Sequence, residues 1–156
     1  MFVRYFVEIP TPFEAVEPVL FNGPEGWIPG LAQEAGDRGE ELLTEVGFGQ
    51  GGRRVRREVQ ISVGETMRFP SKTVLPISWR PASGNRLLPA LEADLEIAPL
   101  GPSRTQLAFS ARYDPPLGPI GQAIDRALLH RVAEATVKDF LDHTALKLPY
   151  IPAGAA

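Results

Sequence analysis

The stretch SARYDPPLGPIG, Ser110 to Gly121, passes from an alternating strand pattern, through paired prolines and two glycines, into a helical pattern. Prolines fix φ and remove donors, so no strand ladder continues beyond Asp114, while Gly118 and Gly121 allow a tight reversal. Asp114 to Pro119 reads as the corner where a last strand ends and the chain turns back across a sheet. Upstream, in TQLAFSARY, Leu107, Phe109, Ala111 and Tyr113 form one apolar set. In LPALEADLEIA, Leu91, Ala93, Leu95 and Ile97 share one face and Glu92, Asp94 and Glu96 the other. Such period-two alternation marks strands with one dry and one wet face. VRREVQISV and TVLPISWR read the same way, and from Leu42 to Tyr113 the signal is nearly all strand, punctuated by turn residues.

Outside that block the pattern changes. FVRYFVEIP has Val3, Tyr5, Val7 and Ile9 on one side with Arg4 and Glu8 on the other, a strand that Pro10 ends. TPFEAVEPVLFN follows, with Thr11 as N-cap and Pro12 in the first helical position, and a further helical turn is expected around PEGWIPGL. After Pro116 the helical pattern runs to about Leu148, where Pro149 stops it. Leu129, Val132, Ala133, Thr136, Val137, Phe140, Leu141 and Thr144 form its apolar stripe. The expected fold is α+β: an antiparallel sheet of six or seven strands wrapped around a long C-terminal helix, with two short helices after the first strand. An antiparallel sheet with one dry face must cover it, and the last helix is the element expected to do so.

This element order, with VLPISWRP, LEADLEIAPLG, TQLAFSARYDPPLG and DRALLHRVAEATVKDFL, resembles the START-like or polyketide cyclase/dehydrase superfamily (SRPBCC), whose helix-grip fold is shared with plant pollen-allergen proteins. The likeness covers essentially the whole chain. The superfamily includes lipid carriers, aromatic polyketide cyclases and ring-hydroxylating oxygenase subunits, so the resemblance implies a cavity between sheet and terminal helix but supplies no catalytic motif to match.

Composition narrows the function classes. The 156 residues fit a single domain over 1–150 followed by a tail at 151–156. A net charge of -3 argues against a nucleic-acid binder, and the absence of cysteine removes disulfides, thiolate nucleophiles and cysteine zinc sites. MFVRYFVEIP has no signal-peptide pattern and no apolar run approaches the ~18 residues of a membrane span, so a soluble cytoplasmic protein without integral membrane association is expected.

The individual motifs take their meaning from their context. GFGQGG, Gly47 to Gly52, has the GxGxxG spacing, but a dinucleotide site needs a helix after it and RRVRREVQISV reads as a strand. Arg53, Arg54, Arg56 and Arg57 read as a charged hairpin tip. His130 and His143 lie on one helix and, at about 100° per residue, point to separated faces, so exposed or capping roles are expected for each. No HExxH or GxSxG motif is present, and neither metal nor cofactor is expected.

Followed towards the N-terminus, the stripe of the last helix meets Asp125, Gln122, Gly121 and Gly118, which cannot fill space as Phe140 does. A cavity, or water, is therefore expected beside the N-terminal half of that helix. Its candidate lining is Tyr5, Trp27, Arg57, Trp79, Phe109, Tyr113, Gln122 and Asp125, with ordinary core packing the alternative for each aromatic. Arg57 shares parity with Val55, Val59, Ile61 and Val63, so it needs a partner such as Asp125, a ligand head group, or a path to water along its own stem. A second stripe, Leu117, Ile120, Ile124 and Leu128, packs on loops or forms a contact between copies, leaving monomer and homodimer both open. The leading expectation is binding or carriage of a small hydrophobic or aromatic molecule. The alternatives are a cyclase- or dehydratase-like enzyme, in which Arg57 polarises a carbonyl and Asp125 or Tyr113 moves a proton, and a protein-interaction module.

Overall fold

A computed structural model describes residues 2–45, 59–81, 90–114 and 126–150. In chain order it contains β1 (Phe2–Ile9), α1 (Phe13–Phe21), a 3₁₀ turn (Pro24–Gly26), α2 (Ile28–Glu45), β2 (Val59–Val63), β3 (Met67–Phe69), β4 (Lys72–Pro81), β5 (Ala90–Pro99), β6 (Thr105–Asp114), α3 (Arg126–Lys147) and a closing 3₁₀ turn (Leu148–Tyr150). The strands form one six-stranded antiparallel sheet in the order β1-β6-β5-β4-β2, with β3 also pairing β4. With the helices after β1 and the long C-terminal helix, this is the helix-grip architecture.

The register turns the alternation into two faces. On the inner face Tyr113, Leu91, Trp79 and Ile61 lie in one cross-strand row, and Val3, Ala111, Ala93, Ile77 and Val63 in the next. Tyr5, Phe109, Leu95 and Leu75 form a third row. Most of these side chains are buried in one core cluster, with Tyr5, Ile61 and Val63 packed partly buried at its border.

Between Val63↔Ile77 and Met67↔Val74, three residues on one strand oppose two on the other, which is a β-bulge. The Gly64 N–H donates to the Pro76 carbonyl at 2.8 Å. Nitrogen and carbonyl of one strand residue point to the same side, so the missing donor of Pro76 faces the bulge, where the ladder is already interrupted. A Cβ on Gly64 would lie 3.2 Å from Pro76 Cβ, so glycine admits this close approach. The bulge also puts Arg68 opposite Thr73, on the inner face, where its guanidinium meets Glu17 Oε1 at 2.7 Å and Asn22 Oδ1 at 2.9 Å on and beyond α1.

α3 buries Leu129, Val132, Ala133, Thr136, Val137, Phe140, Leu141 and Thr144, the stripe expected from helical spacing. Thr136 and Thr144 satisfy their hydroxyls on the carbonyls four residues earlier, at 2.8 and 2.7 Å, and so enter the core without an unpaired donor. α3 does not cover the sheet alone. α2 runs for 18 residues, past Leu42, where strand was expected to begin, and packs along α3. It buries Ile28, Leu31, Ala32 and Ala35, and Lys147 Nζ reaches Glu34 Oε1 at 2.8 Å across the helix pair. Glycines at 30, 36 and 39 read as punctuation in the sequence, yet tertiary packing along α3 holds the segment helical despite their low propensity.

The start of α1 also differs from expectation. Pro12 occupies the N-cap position in extended conformation, with no side-chain cap, and the Thr11 carbonyl accepts a hydrogen bond from Thr105 Oγ1 at 2.8 Å. The Thr105 hydroxyl thereby ties the chain after β1 to β6, and the helix begins at Phe13.

Candidate functional site

Three of the expected lining residues meet at one ring. Trp79 and Phe109 come from the first and third inner rows and flank Ala93 diagonally in the register. Phe140 of α3 lies 5.6 Å from Trp79, edge-on, and 5.2 Å from Phe109, tilted. Trp27, just before α2, stacks on the same ring at 6.2 Å. Its indole Nε1 donates to the Leu20 carbonyl at 2.9 Å, so the one polar atom of this side chain is satisfied at the end of α1. All four rings are buried and together join sheet, α2 and α3.

Tyr5 lies apart from that cluster, at the β1 edge. Its hydroxyl donates to Asp142 Oδ1 at 3.0 Å, and Lys138 Nζ, 2.8 Å from Asp142 Oδ2, stands 5.6 Å over its ring. Partial burial, followed by the Asp142 carboxylate, raises the Tyr5 phenol above its ordinary range. Hydrogen bonding to Asp142 likewise raises the Lys138 ammonium.

Tyr113 ends the inner row that also holds Trp79. Its side chain is buried and its hydroxyl lies 3.2 Å from His130 Nδ1, near the first turn of α3. Burial raises the phenol's pKa. On the far side of the imidazole, His130 Nε2 is 3.6 Å from Glu134 Oε2. With the ring proton on Nε2, towards the carboxylate, Nδ1 accepts from the tyrosine; with the proton on Nδ1, the direction reverses. Tyr113, His130 and Glu134 thus form a polar chain from the inner face of β6 to the solvent side of α3, where His130 is 48% exposed.

Helical spacing gives His130 only an exposed or capping role, and its link to Tyr113 is a contact that the sequence pattern does not reveal. The available signal was its place next to Leu129, the first residue of the buried stripe, opposite the last inward residue of β6. His143 is a local matter: its Nδ1 donates to the Asp139 carbonyl at 2.8 Å and lies 3.2 Å from the Asp139 carboxylate. Burial raises that carboxyl's pKa although the neighbouring imidazole pulls it down.

Arg57, Gln122 and Asp125 lie outside the described residues. So do the GFGQGG loop, Arg53, Arg54 and Arg56, the turn after Asp114, and Leu117, Ile120 and Ile124 of the second stripe. Leu128 of that stripe is partly buried and packs against the core. Among the described residues no group of three or more histidine, aspartate or glutamate side chains is placed to hold a metal ion, and no helix is long and apolar enough to cross a membrane.

No protein-family model and no curated protein matches the sequence. Solved structures do match. A conserved protein from Geobacillus kaustophilus superposes with a TM-score of 0.54 at 14% identity, covering 96% of each chain. A START superfamily protein from Mycobacterium smegmatis gives a TM-score of 0.49 at 14% identity, over 96% of this chain and 97% of the other. The Zhui aromatase/cyclase from a Streptomyces species gives 0.40 at 12% identity over 99% of both chains. At such identities the likeness is one of fold alone, and that fold is the helix-grip arrangement of sheet and C-terminal helix described above.

Proposed function

We propose that the protein binds a small apolar or aromatic molecule between the sheet and the N-terminal half of α3, with the Tyr113–His130 pair as its polar end. The observation that carries this reading is the 3.2 Å contact between a buried phenol on the inner face of β6 and an imidazole on α3. Around Phe140 the inner face is closed by aromatic packing; at the end of the same row Tyr113, next to Leu91, places a hydroxyl against His130. Sites for small molecules combine an apolar lining with a few placed polar groups in this way. A ligand carrying one carbonyl or hydroxyl on a flat apolar body matches that distribution.

The test is a fluorescence titration with naphthalene and 2-acetonaphthone, read through Trp27 and Trp79, on the parent and on Tyr113→Phe. Saturable binding of both compounds is expected. Losing the phenol should weaken the ketone about twofold to tenfold, the worth of one hydrogen bond, and leave naphthalene unchanged. Absence of saturable binding by either compound, or equal effects of the substitution on both, overturns the reading.

The Glu134 carboxylate behind His130 supports a second reading, an enzyme of cyclase or dehydratase type acting on a hydrophobic carbonyl compound, with His130 exchanging the proton. In deuterium oxide the parent would then exchange the methyl protons of 2-acetonaphthone faster than His130→Ala, each proton removed by the imidazole being replaced by a deuteron from solvent. Equal exchange by the two proteins removes this reading and leaves the binding one standing.

A further inference from the structure

A cleft of about 430 Å³ opens on the opposite, outer face of the sheet. That volume lies within the range of small-molecule sites. Two cross-strand rows build it. In the first, Phe2, Arg112, Glu92, Ser78 and Ser62 follow one another across β1, β6, β5, β4 and β2. In the second, Ser110, Asp94, Pro76 and Gly64 are neighbours, the last two joined by the backbone hydrogen bond at the bulge. Serines, proline and glycine leave a low floor at the bulge side, while Phe2, 58% exposed, stands as a wall at the β1 edge.

The charges on this face are only partly paired with one another. Arg112 is directly opposite Glu92, the pairing expected to form a cross-strand ion pair. Glu92 Oε1 instead accepts from Ser78 Oγ at 3.0 Å and from Arg80 Nη2 at 2.9 Å. Among the described residues neither Arg112 nor Asp94, its diagonal neighbour, makes an ion pair or a side-chain hydrogen bond. The cleft therefore presents an unengaged guanidinium, an unengaged carboxylate one row away, and an aromatic ring beside the guanidinium.

We infer that this outer cleft is a binding site for a small zwitterion of the amino-acid class. Its carboxylate meets the forked donors of Arg112, its ammonium meets Asp94, and its apolar side group lies along Phe2. A simple anion would leave Asp94 opposed to it, and a simple cation would leave Arg112 so. A ligand with both signs satisfies both groups.

The probe is L-phenylalanine, followed by amide chemical shifts of the isotope-labelled protein, with L-phenylalaninamide and N-acetyl-L-phenylalanine as ligands that lack one charge each. The expected result is saturable shifts at Ser62, Gly64, Ser78, Asp94 and Ser110, with both capped analogues bound at least tenfold more weakly. Arg112→Met should bind phenylalanine and its amide equally, and Asp94→Asn should bind phenylalanine and its N-acetyl derivative equally. Both positions are exposed, so unfolding midpoints should stay near the parent's. No saturable shift at these residues up to about 10 mM phenylalanine, a dissociation constant too weak to represent recognition, overturns the inference. So do shifts centred on Tyr113 and His130 instead, or capped analogues that bind the parent as well as phenylalanine does.

Discussion

Replacing Phe140 by alanine tests the packing on which the interior depends. The ring is fully buried and sits within 5.2 to 6.2 Å, centroid to centroid, of Trp27, Trp79 and Phe109. A phenylalanine-to-alanine change in a core costs about 3–5 kcal/mol, from lost transfer energy and the cavity left behind. Collapse of the cavity is opposed here, because its walls belong to three elements: the Trp27 indole is fixed by its bond to Leu20, and Trp79 and Phe109 sit in a hydrogen-bonded sheet. The expected cost is accordingly in the upper half of that range, about 4–5 kcal/mol, against a total stability of roughly 5–15 kcal/mol for a domain. For a chain of this length each kcal/mol shifts Tm by about 2–4 °C, so a drop of roughly 8–20 °C is expected. Urea unfolding followed by tryptophan emission and by far-ultraviolet circular dichroism measures both quantities, and the folded-state emission itself should change, since both tryptophans lose a neighbour. Phe140→Asp, which buries an unpartnered charge, should abolish folding. A Phe140→Ala protein that loses less than about 1 kcal/mol would refute the argument that this ring joins sheet, α2 and α3.

Asp139 offers a test by pH. Its folded pKa is raised by burial, so the folded state binds its proton more tightly than the unfolded chain, and stability contributed by the protonated form is lost as pH rises from about 4 through the raised folded value. In Asp139→Asn that falling component should vanish, so the urea midpoint of the variant relative to the parent should increase across this window; a difference independent of pH contradicts the assignment. Arg68→Met removes the links to Glu17 and Asn22. Because the arginine is 51% exposed, solvent screening limits the expected cost to at most about 1 kcal/mol, read as a small shift of the urea midpoint, and a loss of several kcal/mol would mean that this inward arginine organises α1 against the sheet.

What the sequence determined by itself was local periodicity. Alternation placed Tyr5, Trp79, Phe109 and Tyr113 on inward faces because a strand's side chains must alternate, whatever the strand pairs with. Helical spacing picked out every buried residue of α3 for the same reason, and the end of β6 at Asp114 was legible because proline removes a donor from any ladder. Tertiary structure decided what those faces meet. Phe140 gathers Trp27, Trp79 and Phe109 because of where α3 crosses the sheet and how β4, β5 and β6 are registered, which no local pattern encodes. α2 extends to Glu45 although glycines weaken its helical signal, because α3 supplies a surface for its small residues to pack on. His130 reaches Tyr113 through a contact between helix and strand, and Arg112 makes no ion pair among the described residues because Glu92 turns to Arg80 and Ser78. Periodicity assigns a side chain to a face; only the packing of distant segments assigns it a partner.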